Sequence, residues 1–249
     1  MGKHTLVNVR LFTGGADLTT RSNKLEVSSE VEEKDVTCFT DDDTATQVWR
    51  EVVGGIASTE IAAEGAWEAG DPGKVDDESW AGLGGVGAWT MCPRGAAVGS
   101  VAWLTRAMRA QYTLLGDVGE VAPWQANATG SWPLVRGKVL HPPGTARTAT
   151  GSGTGVQHVA VPAGQHLYAA LHVLSVSGTG SPTLTVAVES DIDDTFAAPT
   201  EQITFDPATS RGGQITRAAG PITDTWYRVT WEITGTSPSF LFVVSLGVG

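Results

Sequence analysis

Five histidines, two cysteines and two short aspartate runs are the residues of this 249-residue chain best suited to chemistry, and their spacing supports little of it. His4, His141, His158, His166 and His172 include no pair spaced to ligate a metal from one helix face. None accompanies a nucleophile motif. His166 and His172 fall on one face of an expected strand, so a shared metal is conceivable, but ordinary surface or core histidines are the favoured reading. Asp41, Asp42 and Asp43 lack the glycine and distal glutamate of a calcium loop, and Asp191, Asp193 and Asp194 form a similar acidic turn. Both read as solvated loops. Gly82-Leu83-Gly84-Gly85 is not a nucleotide fingerprint, and no phosphate-binding loop sequence occurs. With no acid, base, nucleophile and orienting group to assemble, no catalytic residue, metal or cofactor is expected, and an enzyme is the least favoured class.

Cys38 and Cys92 are too few for a disulfide framework and match no zinc spacing, so both are expected to be buried and reduced. The nine tryptophans divide by context. Trp67, Trp103, Trp226 and Trp231 sit in apolar strand patterns that imply burial, whereas Trp49 and Trp80 lie near loop or helix segments and suit subunit contacts.

The elements that must carry these residues read as β structure. Gly, Thr and Val are abundant, and short runs alternate between apolar and polar side chains. From Ser22 to Thr37, Leu25, Val27, Ser29 and Val31 point one way and Lys24, Glu26, Ser28, Glu30 and Glu32 the other. Cys38–Gly55 reads as a polar loop. Ser58–Ala69 repeats the alternation, with Ile61, Ala63 and Trp67 on one face and Glu60, Glu64 and Glu68 on the other. A short helix is expected over Asp76–Leu83, where three acids favour the helix start and Gly84 can stop it. Val101–Tyr112 and Trp124–Thr129 are further strands.

After His141-Pro142-Pro143-Gly144 the composition shifts, and Thr145–Gly155 reads as a linker or a loose first strand. Strands follow at Gln165–Val176, Pro182–Glu189, Glu201–Phe205, Gly213–Ala218, Thr225–Ile233 and Ser239–Leu246, the signature of a sandwich. Two domains are therefore expected, residues 1–142 and 143–249.

Formal net charge is −11. A protein that grips nucleic acid by its phosphates needs a basic face, and none is evident. From Glu26 to Glu78 sixteen acids face only Lys34, Arg50 and Lys74, whereas Ser79–Pro142 is mildly basic. The acidic edge of one subunit could meet the basic edge of the next, or folding could interleave the two blocks. Met1–His4 runs straight into Thr5–Val9 without an apolar segment, so neither secretion nor a membrane is expected.

The series of segments resembles a known family. Asp17-Leu18-Thr19-Thr20-Arg21-Ser22-Asn23-Lys24-Leu25-Glu26-Val27, then Glu30-Val31-Glu32-Glu33-Lys34-Asp35-Val36-Thr37, is similar to the opening of major tail (tail tube) proteins of long-tailed actinobacterial phages. Trp49–Ile56, Glu64-Gly65-Ala66-Trp67, Gly99-Ser100-Val101-Ala102-Trp103 and Gly130-Ser131-Trp132-Pro133-Leu134-Val135-Arg136-Gly137 continue the pattern in order, across most of residues 15–140.

The resemblance implies a tail-tube-type β-sandwich or barrel with one flanking helix, closing into stacked, hexameric rings, plus an Ig-like C-terminal β-sandwich carried outside. It implies a virion tail assembled in the host cytoplasm. The partners would be further copies, a tape-measure protein and viral DNA in the lumen without sequence-specific binding, and tail terminator and tail tip proteins. On that footing Glu26, Glu30, Glu32, Glu60, Glu64 and Glu68 are candidates to line the lumen, or else to touch a neighbouring subunit. The loop bearing Asp41, Asp42, Asp43 and Trp49 would reach an adjacent ring. The alternatives are a contractile-tail tube protein and a tail accessory that binds carbohydrate or a receptor through the C-terminal sandwich and its tryptophans.

Overall fold

A computed structural model describes residues 5–39, 44, 46–70 and 74–249. It is mostly β. Among the described residues the first half holds β1 (Arg10–Thr13), β2 (Ala16–Asp17), β3 (Ser22–Asp35), β4 (Val52–Ala66), β5 (Val86–Cys92), β6 (Val101–Leu114), β7 (Pro123–Gly130) and β8 (Val135–His141), with helix α1 (Val75–Ala81) between β4 and β5. The second half holds β9 (Gly151–Ser152), β10 (Val156–Gln157), β11 (His166–Asp191), β12 (Thr200–Thr204), β13 (Gly212–Ala219) and β14 (Trp226–Val248). All pairings between these strands are antiparallel.

The C-terminal core comes from one long ribbon folded on itself. β11 and β14 pair along nearly their whole length, from Leu167↔Val248 to Asp191↔Trp226. Each sequence-expected pair of strands, Gln165–Val176 with Pro182–Glu189 and Thr225–Ile233 with Ser239–Leu246, is thus one bent strand. The bend falls where Gly178, Gly180 and Gly235 take positive φ and Pro182 and Pro238 interrupt the ladder. The two halves of the ribbon face each other across Leu171, Val186, Val229, Trp231, Phe240 and Phe242, all buried. The segment expected as a linker is held down. Arg147 exchanges backbone bonds with Phe240 (2.7 and 2.9 Å), and the Trp231 indole donates to the Ala149 carbonyl (2.9 Å).

The N-terminal core packs β3, β4 and β7 over β1, β5 and β6, with Leu11, Ile61, Trp89 and Trp124 inside and α1 inserting Val75. Gly65 is required here. A Cβ on it would lie 1.8 Å from the Arg21 carbonyl, which accepts the Trp124 indole N–H at 3.1 Å.

The hydrogen-bonded sheet runs without a break from one half to the other, because β8 pairs with β14 as well as with β6. At that seam Gly137 passes so close to β14 that a Cβ would sit 1.7 Å from the Leu246 carbonyl. Two smaller clusters also draw on both halves. Ala88, Leu104 and Val135 meet Tyr168 and Ala170, and Phe12, Cys92 and Val139 meet Val243. The buried His172 completes the seam, its Nδ1 donating to the Gly14 carbonyl (2.9 Å) and its Nε2 accepting from the Thr90 hydroxyl (2.9 Å). No helix among the described residues is long and apolar enough to cross a membrane.

Candidate functional site

Register places the acids. Across β3 and β4, Lys24 lies opposite Glu64, Glu26 opposite Ala62, Ser28 opposite Glu60 and Glu30 opposite Ser58, so all these side chains leave one face of the sheet. β7 extends that face, pairing Thr129, Asn127 and Gln125 with Glu60, Ala62 and Glu64, and β6 adds Gln111 and Thr113. The opposite face carries Leu25, Val27, Ile61, Ala63, Ala126 and Ala128 into the N-terminal core. The result is a polar, acid-rich wall containing a shallow groove of about 520 Å3 that exposes Glu26, Glu60, Gln111 and Asn127.

Lys24 bridges Glu64 (3.2 Å) and Glu26 (3.4 Å), and these contacts hold its ammonium above its ordinary range. Asn127 donates to Gln111 (3.1 Å). Glu30 and Glu60 have no ion-pair partner among the described residues. A wall of carboxylates and amides repels phosphate, and its lysines among the described residues, Lys24 and Lys34, are already paired with its acids.

Glu32 continues the same face of β3 and pairs with Lys34. Glu68 does not join it. β4 ends at Ala66, and Glu68 pairs with Lys74 and Arg21, interactions that lower its carboxyl pKa. The alternation that grouped Glu68 with Glu60 and Glu64 stops where the strand stops. Trp67 departs from its expected burial for the same reason. It is exposed, and its indole donates to Asp76 (3.0 Å) at the start of α1, beside the Tyr112 hydroxyl.

The second feature is the far end of the β3–β4 hairpin. Among the described residues β4 is paired to β7 only over Glu60–Ala66 and β3 is paired only to β4, so Val52–Thr59 and all of β3 each present a free edge. Beyond the Ser29–Thr59 pair both faces are open, and Val31 (59% exposed), Val53, Ile56 (77%) and Trp49 (82%) stand in solvent among charged neighbours. Arg50 ties the end together through Glu33 (3.4 Å) and Asp35 (3.3 Å). The loop expected over Cys38–Gly55 is shorter, since Val52–Gly55 belongs to β4. Asp41, Asp42 and Asp43 lie outside the described residues. Cys38 is exposed rather than buried, while Cys92 is buried and its thiol is pushed up to about 12 by desolvation. Trp80 on α1 is exposed as expected.

An apolar groove of about 650 Å3 opens behind the free edge of β3, lined by Leu6, Val7, Leu25, Val27, Met91 and Trp103. Sequence alternation could not reveal it, because its walls come from segments far apart in the chain. The histidine pair does not form a metal site. His166 is half-buried, His172 is spent on Gly14 and Thr90, and no group of metal-ligating side chains occurs among the described residues.

Against known proteins, no protein-family model and no curated protein matches this chain. Three solved structures are similar. One is a chain of the virion of a native gene transfer agent particle (18% identity, 46% of this chain and 82% of that one, TM-score 0.35). Another is from the tail of an empty gene transfer agent particle, refined with C6 symmetry (16%, 54% and 97%, TM-score 0.40). A third is the Dit protein of phage SPP1, described as part of a hub adsorption apparatus (9%, 97% and 99%, TM-score 0.34). All three scores are low.

Proposed function

We propose that the chain is a non-enzymatic structural subunit of a phage tail, a tube protein whose copies close into stacked rings, six to a ring, around a lumen. The β3–β4 hairpin carries the reading. It projects free sheet edges and exposed Val31, Val53, Ile56 and Trp49 beyond the body. In a lone molecule that is an aggregation hazard, and a copy seated against it turns the hazard into assembly. Burial of each large apolar side chain contributes about 1.5–3 kcal/mol.

Support also comes from the acidic wall, which faces away from the core and suits a bore through which DNA and a tape-measure protein slide without sticking. Glu26, Glu60 and Glu64 line that bore in this reading, with Glu30 and Glu32 towards its rim. Trp49 and the loop around it meet the adjacent ring. Residues 1–142 form the ring, and residues 143–249 form a β-sandwich on its outside. The terminator and tip proteins cap the two ends of the tube, in a virion tail assembled in the host cytoplasm.

Negative-stain electron microscopy of concentrated protein tests this, with size-exclusion chromatography alongside. Rings or hollow tubes of uniform width are expected, and V31E/I56E should leave soluble, folded monomers. A wild-type chain that stays monomeric even with a tail-initiating complex as seed would overturn the proposal.

A further inference from the structure

Two neighbouring arginines have no carboxylate partner among the described residues. Arg106 on β6 and Arg217 on β13 both lie over the Trp132 ring, at 5.5 and 5.1 Å from its centre. Arg217 is also 5.9 Å from the centre of the Tyr168 ring and donates to its hydroxyl (3.3 Å). Trp132 and Tyr168 meet edge to face at 5.7 Å, and Tyr168 is buried. The guanidinium groups are thus exposed yet held against a fixed aromatic base, so little side-chain freedom remains to be lost on binding.

Neither arginine has an ion-pair partner among the described residues, whereas eight other cations of the chain do. Asp206 borders the same cleft as Arg106 without reaching ion-pair distance. The patch draws on β6, β11, β13 and the β7–β8 turn, so it exists only when the two halves of the chain are packed together.

The complementary charge is also on this chain. Ser22–Ala66, the hairpin with its loop, holds eleven acids against Lys24, Lys34 and Arg50, a net of −8 within a total of −11. Its projecting end carries Glu30, Glu32, Glu33 and Asp35, all exposed. We infer that the Arg106–Trp132–Arg217 patch receives the acidic end of the β3–β4 hairpin of a second copy. Arginine and tryptophan together are the side chains on which binding energy concentrates, and paired guanidinium forks fit carboxylates. A contact between two different surfaces propagates from copy to copy instead of closing as a dimer. In naming a second copy the inference rests on the self-association proposed above.

Cysteine cross-linking in the full chain tests it, using the native Cys38 near the hairpin end. Ser131→Cys places a thiol beside Trp132. Thr179→Cys, at the bend of β11 and roughly 35 Å along the strand from Tyr168, is the control. Mild oxidation of dilute protein should link Cys38 of one chain to the thiol introduced at position 131 of another. That link should form at least tenfold faster than the one to the thiol at position 179. Cys38→Ser should abolish the product, R106E/R217E should remove it, and R106Q/R217Q, with unchanged circular dichroism, should reduce it. Equal rates at the two positions, or a rate indifferent to the arginines, would overturn the inference. So would arginine-dependent capture of a labelled oligonucleotide, which would assign the patch to nucleic acid. Tubes that still form from R106E/R217E protein would remove this contact and leave the tube reading standing. Cross-linking without rings would do the reverse.

Discussion

His172 is the residue on which the union of the two halves is most exposed to pH. Its ring is fully buried between the Gly14 carbonyl and the Thr90 hydroxyl, and Thr90 in turn meets the Ser245 hydroxyl at 3.2 Å. Burial pushes its pKa down to about 4, against the pull of the Gly14 hydrogen bond. His141, stacked on Phe242 and bonded to that residue's carbonyl (3.0 Å), is likewise lowered to about 4 by burial. The unfolded chain takes up these protons near the ordinary histidine value of about 6.5, while the folded chain resists until about 4. The stabilising effect is therefore complete above pH 6.5 and is lost as pH falls towards 4. Each tenfold difference in proton affinity between the folded and unfolded chain contributes about 1.4 kcal/mol. Urea unfolding at a series of pH values should show this decline, and His172→Gln should flatten it by roughly half. Identical slopes for the two proteins would mean that the imidazole titrates alike in both states.

At the scale of elements, what the sequence disclosed and what it hid follow from range. Alternation placed β3, β6, β7 and the acid face correctly because a strand's two faces are a local property. It merged Glu68 and Trp67 into β4 because nothing nearby announces that the strand ends at Ala66. Ion pairing of Glu68 to Arg21 and Lys74 decides its orientation. It split β11 and β14 at Gly178–Pro182 and Gly235–Pro238, since glycine and proline signal a turn and not that the ladder resumes beyond it. The seam was illegible. Gly137 reads as one glycine among 31, and only its approach to Leu246 shows that two strands from different halves need that space. Gly137→Ala should therefore cost several kcal/mol, at the upper end of single-substitution effects, because backbone and not a flexible side chain is in the way. Gly144→Ala, with open space around the added methyl, is the control. Thermal melts of the two variants decide it, and equal melting temperatures would show that β8 and β14 can separate without loss.

For the whole molecule, the same acids can be asked to do two things, and position along the hairpin separates them. At its base Glu26, Glu60 and Glu64 stand on a sheet whose other face is core, so the backbone that carries them is supported. At its end Glu30, Glu32, Glu33 and Asp35 stand on an unsupported ribbon, where a neighbour can reach them. Repulsion of phosphate needs fixed charge within a Debye length, about 10 Å at 0.1 M salt, and in the proposed ring repetition would supply it at every angle. E26Q/E60Q/E64Q removes three negative charges per subunit from an exposed surface without adding or deleting a heavy atom. Tubes of unchanged width are expected by electron microscopy. They should retain short double-stranded DNA that wild-type tubes let pass, and the difference should shrink as salt is raised. On the proposed tube reading, phage assembled from the variant would eject their genomes more slowly and less completely. Loss of tubes in the variant would instead place these carboxylates against a neighbouring subunit, and tubes that let DNA pass as the wild type does would leave the bore to be lined by another face.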